Sequence, residues 1–314
     1  MPRSEINPIQ FDPAWWQTLQ APFMQHALIG GTFVALAAGL LGYFVVIRQH
    51  AFASHALAHI GFPGATGAVL LGQSVTLGLA VFTIVGALAI GAVGKEVASR
   101  EIVTGTVLAF ATGLGILFSN LATRNAGTVT NVLFGNLLAI SVDQLWTFGV
   151  FCLAVVVALG VVARPLTFAS IDPQVARARG VPVRLLGLVF LVLLALVITM
   201  AVQVVGTLLL FALVVTPTAT ALRITARPAV VAGLGSAIAL VAVWVGIVLS
   251  AMFDLPPSFF VVTLAVLTWA VVLVVTRGRG GRGRALGVPV ASDAADAHHG
   301  GAAAAPVSAG VAGL

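Results

Sequence analysis

The chain is built from apolar runs long enough to cross a lipid bilayer, and that feature leaves few folds open. A spanning helix needs about 20 mostly apolar residues. Such runs lie at 24–47, 52–71, 75–94, 102–121, 144–163, 185–202, 204–222, 229–251 and 258–276. The stretch 132–140 is too short to span and reads as a re-entrant or interfacial piece. Within lipid every backbone N–H and C=O must be bonded inside the protein, so the expected fold is all-α, a polytopic membrane bundle of about nine spans. Composition supports this. Only 8% of the 314 residues are charged, 60% are hydrophobic, and the mean hydropathy is +1.13. A soluble domain carries about 25% charged residues.

The net charge of +6 does not imply nucleic-acid binding, because the basic residues fall between the runs. With the C-terminus inside and the spans alternating, the inner loops hold Arg48, Lys95, Arg100, Arg164, Arg177, Arg179, Arg184, Arg223, Arg227, Arg277, Arg279, Arg282 and Arg284. Only Arg3 and Arg124 remain outside. The positive-inside rule then predicts an outer N-terminus and a cytoplasmic C-terminus. Three regions follow: an outer segment 1–23, a transmembrane domain 24–276, and a cytoplasmic tail 277–314 whose Ala/Gly/Pro/Ser-rich part, with His298 and His299, predicts disorder. No cleavable signal peptide is expected, since Glu5, Asp12 and two tryptophans precede the first apolar run. Asp12-Pro13 predicts the start of a short interfacial helix with Phe11, Trp15 and Leu19 at helical spacing. The lone cysteine, Cys152, excludes a disulfide framework and reads as a small buried hydrophobe.

Three places carry more than hydropathy. In "RQHAFASHALAHIGFPGATG", His55 and His59 stand four residues apart in an apolar run. On a helix they share a face, about 5–6 Å apart, so both imidazoles can reach one cation. Ionisable groups inside a membrane are costly and point to function. The alternative is a pair hydrogen-bonded to neighbouring helices. His50 reads as interfacial, and His26 as a lone histidine at the outer start of the first span. In "RPLTFASIDPQVARARGVPVR", Asp172-Pro173 predicts a helix start and Gly180 a stop, with Pro182 beyond. A short self-capped helix in an inner loop fits either an interfacial anchor or a docking element for a cytosolic partner. In "VQVVGTLLLFALVVTPTATALRI", Gly206 and Pro217 predict a kinked helix whose threonine hydroxyls re-satisfy freed carbonyls, suited to close packing and hinge motion. Asp143 and Asp254 read as outer-end caps, and Lys95, Glu96, Arg100 and Glu101 as a mixed inner loop.

These features together resemble the permease subunit of bacterial ABC importers for zinc, manganese or iron, over roughly residues 27–276. "FASHALAHIGFPG" resembles a family element in which an aspartate precedes a histidine by four residues before a Pro-Gly turn. "LFGNLLAIS" resembles the segment before the middle span, "FASIDPQVARARGVPVRLL" the loop that docks on the ATPase, and "QVVGTLLLFALVVTPTATA" the segment after the next span. The family's aspartate is replaced here by His55, while His59 matches.

The resemblance implies a vitamin-importer-like (type II) ABC permease in the bacterial inner membrane, working as a homodimer. An extracytoplasmic metal-binding protein would deliver the ion and a separate ABC ATPase subunit would bind the ATP. No G-x-x-x-x-G-K-[ST] occurs in this chain. No enzymatic activity and no permanently bound cofactor are expected. His55 and His59 would line the metal path; Asp172, Pro173, Ala176, Arg179 and Gly180 would form the ATPase-coupling helix; Gly206 and Pro217 would serve hinge and packing roles. Two imidazoles favour zinc as the cargo, ahead of manganese and iron. An organic-ligand permease of cobalamin or siderophore type is the further alternative. A proton-coupled transporter acting alone is disfavoured, since no carboxylate lies at a span centre.

Overall fold

The computed structural model describes residues 13–93, 97–121, 131–207 and 209–277. A short helix α1 (Trp15–Gln20) leads into α2 (Pro22–Ile47), α3 (Ala51–Leu70), α4 (Val75–Val93) and α5 (Val97–Leu121). A helical turn at 131–134 and a 3-10 turn at Leu137–Ala139 precede α6 (Val142–Ile171) and α7 (Pro173–Ala178). Then follow α8 (Val183–Val205), α9 (Leu210–Val214), α10 (Thr216–Ile224), α11 (Pro228–Phe253) and α12 (Pro257–Arg277). Proline opens α2, α7, α11 and α12, where its missing N–H would be an orphan anyway. Among the described residues there is no strand. The bundle forms one compact unit ending at Val274; of the second unit, 275–314, only the close of α12 is described.

Seven of these helices, α2, α4, α5, α6, α8, α11 and α12, are long and apolar enough to cross a membrane. Their outward faces are as apolar as their inward ones. Phe110 is 73% exposed, Trp146 75% and Val161 75%, and α12 buries little of its length. Water would not tolerate such a surface, whereas lipid requires it. The other two expected runs are helical but differ in kind: α3 carries the histidines, and 204–222 is broken.

Helix α2 packs against α6, α8, α10 and α11, while α3 lies against α4, α5 and α8. Small residues allow the closest approaches, as membrane helices require. Added Cβ atoms at Gly64 and Gly78 would strike each other's carbonyl groups, so α3 and α4 cross backbone to backbone. Gly39 does the same for α2 on Ser236 of α11. Phe148, Phe190, Leu194 and Met200 are fully buried around α6 and α8.

Several boundaries differ from the expected ones. The sixth run continues to Val205, and the seventh is not one kinked helix but two short ones after a break. At Gly206 the backbone takes φ 84°, ψ 167°, a region essentially confined to glycine. Its Cβ position is occupied by Leu133 O and the Gly135 backbone, so segment 131–139 docks on the break. Asn136 N–H donates to Gln203 O at 3.1 Å and Thr207 N–H to Val132 O at 3.1 Å. Pro217 lies in the first turn of α10 rather than inside a helix. Thr220 Oγ1 bonds Thr216 O, so that hydroxyl does not serve the carbonyl freed by the proline.

Helix α6 runs through Pro165 to Ile171, beyond the expected end at 163, so the loop begins only at Asp172. Its N-cap is Ser141, in a capping box with Gln144, not Asp143. Asp254 closes α11 in the left-handed conformation, φ 51°, rather than capping the last helix. His50 is buried, 4% exposed, with its ring against Phe190. The expected N-terminal cap at Phe11 and Asp12, the loop residues Lys95 and Glu96, Arg124 and the tail 278–314 lie outside the described residues.

Candidate functional site

Helix α3 is covered on two sides. Ile60 fills the notch at Gly86 of α4, and Phe62 packs at Gly115 of α5. Ala56, Leu57 and Ala58 are fully buried, whereas His55 and His59 remain half-buried on the side those contacts leave uncovered. Their rings stand edge-on, with centroids 4.8 Å apart and an interplanar angle of 76°. The i,i+4 spacing therefore brings the two imidazoles together. Pro63, four residues beyond His59, has no N–H to give the His59 carbonyl, which loses its usual helical donor. Among the described residues no cluster of three or more His, Cys, Asp or Glu could hold a metal, so this chain offers two nitrogens there and no carboxylate. Such a site binds a cation by completing its shell from water, backbone oxygen or a second molecule. His26 is half-buried at the start of α2.

The second predicted group forms as the sequence expects. Asp172 Oδ1 accepts from Gln174 N at 3.0 Å and Val175 N at 2.9 Å, and Pro173 opens α7. Ala176 is fully buried and its carbonyl accepts from Val181 N, which folds the loop back on itself. The Arg179 guanidinium lies over Phe168 at 5.8 Å, and Gly180 has φ 79°. Ile171 (73% exposed) and Val175 (42%) are left on the surface. Of the third group, Gly206 forms the crossing already described, and Pro217 is buried.

Two polar assemblies escaped sequence reasoning. Gln203 Oε1 accepts from Thr76 Oγ1 at 2.7 Å and from Gln144 Nε2 at 2.9 Å, joining α4, α6 and α8. At the other end of α8, Arg48 reaches Ser170 and Phe190. A glutamine inside an apolar run is itself a signal, because its amide must find partners. Arg48 was absorbed into the topology count.

Residues 20–276 match the model of the ABC 3 transport family, and the chain belongs to that family. It is 32% identical over 256 residues to the manganese transport system membrane protein MntC of Halalkalibacterium halodurans, covering 79% of this chain and 86% of that protein. It is 31% identical to the manganese import system permease protein ScaB of Streptococcus parasanguinis, over 64% of this chain and 72% of the relative. The solved structure of PsaBC from Streptococcus pneumoniae in complex with Fab superposes with a TM-score of 0.74 at 26% identity, covering 82% of this chain and 94% of that one. The chain is thus a multi-pass membrane permease, a transport component and not an enzyme.

Proposed function

We propose that the chain is the membrane-spanning permease of an ATP-driven importer of divalent metal, with manganese as the cargo. The observation that carries this reading is the family match over 20–276 together with relatives named for manganese transport. It displaces zinc, which the two imidazoles alone had favoured. Manganese prefers oxygen to nitrogen, so in this reading the oxygen donors come from outside the imidazole pair. Zinc is the second reading, favoured by the imidazole pair and the missing carboxylate.

In this reading the N-terminus is outside, the C-terminus cytoplasmic, and nine segments cross the bilayer in a type II arrangement. Helix α3 and the α9–α10 segment supply the two crossings that are not long apolar helices. Residues 24–276 form the permease domain of a homodimer. A binding protein delivers the ion to the outer face, and His55 and His59 act as transient ligands between the copies. ATP binds and is hydrolysed on the partner ATPase, which docks on α7 through Asp172–Gly180. Exposed Ile171 and Val175 beside a rigid cap support that docking. The Gly206 break and Pro217 give the bundle its hinge. Nothing is transformed covalently; the permease alternates the site's access.

The test is uptake of radiolabelled manganese and zinc by cells expressing the whole transporter. The variant His55→Ala/His59→Ala is compared with wild type at equal membrane abundance. Manganese uptake is expected to fall by about tenfold or more, as loss of coordination geometry does at metal sites. Selective loss of zinc uptake would return the assignment to zinc, and unchanged uptake of both would remove the pair from the path.

A further inference from the structure

The corner between α2 and α3, residues Arg48-Gln49-His50, is bonded to the two helices that flank the docking segment. Gln49 takes φ 56°, a left-handed conformation that reverses the chain in one residue. The His50 carbonyl accepts the first helical bond of α3, from Ser54 N at 2.8 Å, and the ring Nδ1–H donates to Arg48 O at 2.7 Å. The His50 ring meets the Phe190 ring edge-on at 5.2 Å, and the Arg48 guanidinium lies 5.3 Å from the same ring. Arg48 Nη1 also donates to Ser170 Oγ at 3.2 Å. Ser170 is two residues before the Asp172 cap of α7, and His55 is five residues after His50 on α3. The guanidinium also lies beside Gly187 of α8, where an added Cβ would stand in ordinary contact, 3.5 Å from Arg48 Nη2.

We infer that Arg48 is a positioning residue that transmits displacement of α7 to the helix carrying His55 and His59. This rests on the reading of α7 as the ATPase-docking element. The route is short: α7 is continuous with the end of α6 through Asp172, Ser170 on that end holds Arg48, and Arg48 is two residues from His50, the cap position that starts α3. An arginine whose only task was to anchor the helix end would extend its head group to the lipid–water boundary. Arg48 instead stacks inward on a buried phenylalanine and bonds a serine of another helix. A planar guanidinium does both at once, whereas a lysine ammonium cannot stack and bond in the same geometry.

The test uses the complete transporter, permease with its ATPase and binding protein, in proteoliposomes with manganese chloride. Three quantities are read: ATPase retained on the permease, ATP turnover, and manganese moved per ATP. Ser170→Ala and Arg48→Lys are expected to retain the ATPase and hydrolyse ATP, while manganese per ATP falls by about fivefold or more. Arg48→Ala is expected to do the same more severely; if it fails to fold, the milder pair carries the test. Unchanged manganese per ATP in Ser170→Ala and Arg48→Lys would overturn the inference, even if thermal stability dropped. Val175→Asp, on the exposed face of α7, separates the two readings. Retention of the ATPase by that variant overturns the docking role, and the tie with it. Its loss there, with normal manganese per ATP in the Arg48 and Ser170 variants, overturns the tie alone.

Discussion

The two ends of α8 are held by different means. At the Gln203 end, hydrogen bonds between uncharged groups join α4, α6, α8 and the 131–139 segment, and two glycines let the backbones touch. At the Arg48 end, one cation contacts α6 and α8 through a serine hydroxyl and an aromatic face. Many weak, mutually supporting bonds resist displacement, because moving one helix breaks several of them. The Arg48 guanidinium ties a hydroxyl of α6 to a ring of α8, so these two can move together without breaking that lattice. The first arrangement suits a fixed end of the bundle and the second an end that moves, which is where α7 lies.

The largest effect in this comparison is expected from Gly206→Val. The native φ 84°, ψ 167° is open essentially to glycine alone, and the new side chain would overlap Leu133 O and the Gly135 backbone. Backbone strain and overpacking each cost about 1–3 kcal/mol. The variant should yield little monodisperse protein in detergent, with a sharply lower melting temperature. A folded, wild-type-like Gly206→Val would show that the crossing yields easily and that the Gln203 end is not the rigid one.

Next in size is Gln203→Leu. It removes the acceptor shared by Thr76 and Gln144 and the donor to Thr199 O, while Gln144 keeps its capping bond to Ser141 N–H. Unpaired buried polar groups cost about 1–3 kcal/mol, and interhelical bonds in membranes lie at the low end of that range. A loss of about 2 kcal/mol in thermal or denaturant unfolding is expected, with manganese per ATP unchanged. A fall in that ratio would mean that the Gln203 end also moves during transport, and the contrast between the ends would disappear.

Much of this was legible in the sequence. Hydropathy found the seven helices long and apolar enough to cross a membrane, since length and polarity alone decide what lipid accepts, and the i,i+4 spacing brought His55 and His59 together. Asp172-Pro173 and Gly180 act through local backbone geometry, so their cap was readable from the nine residues 172–180 alone. What could not be read depends on tertiary packing. Proline drew attention to the break after Val205, but Gly206 makes it, because another backbone occupies its Cβ position. The burial of His50 could not be foreseen because nothing local shows that Phe190, 140 positions away, packs against it. Pro165 looks like a helix end, yet α6 continues through it to Ile171, with Leu166 packed inside. Cargo is harder still: two imidazoles argue for zinc by donor chemistry, while the relatives argue for manganese, whose oxygen ligands need not be side chains.

The smallest expected effect tests whether the lattice at the Gln203 end is cooperative or merely dense. Thr83 Oγ1 and Thr199 Oγ1 lie 2.9 Å apart between α4 and α8, and both are fully buried. Each hydroxyl also lies 2.8 Å from a carbonyl of its own helix, Leu79 O and Ala195 O. A hydroxyl has one proton, so the bond across the helices forms only if one threonine gives up its bond within the helix. The net gain is therefore a fraction of a full hydrogen bond. Valine keeps the shape, so Thr83→Val, Thr199→Val and the double variant form a clean cycle. The coupling energy is expected near 0.5 kcal/mol, in line with typical interhelical bonds in membranes. A value above about 2 kcal/mol would mean that neighbouring bonds reinforce one another. The Gln203 end would then behave as a single unit, and its contrast with the Arg48 end would be sharper than its geometry alone implies.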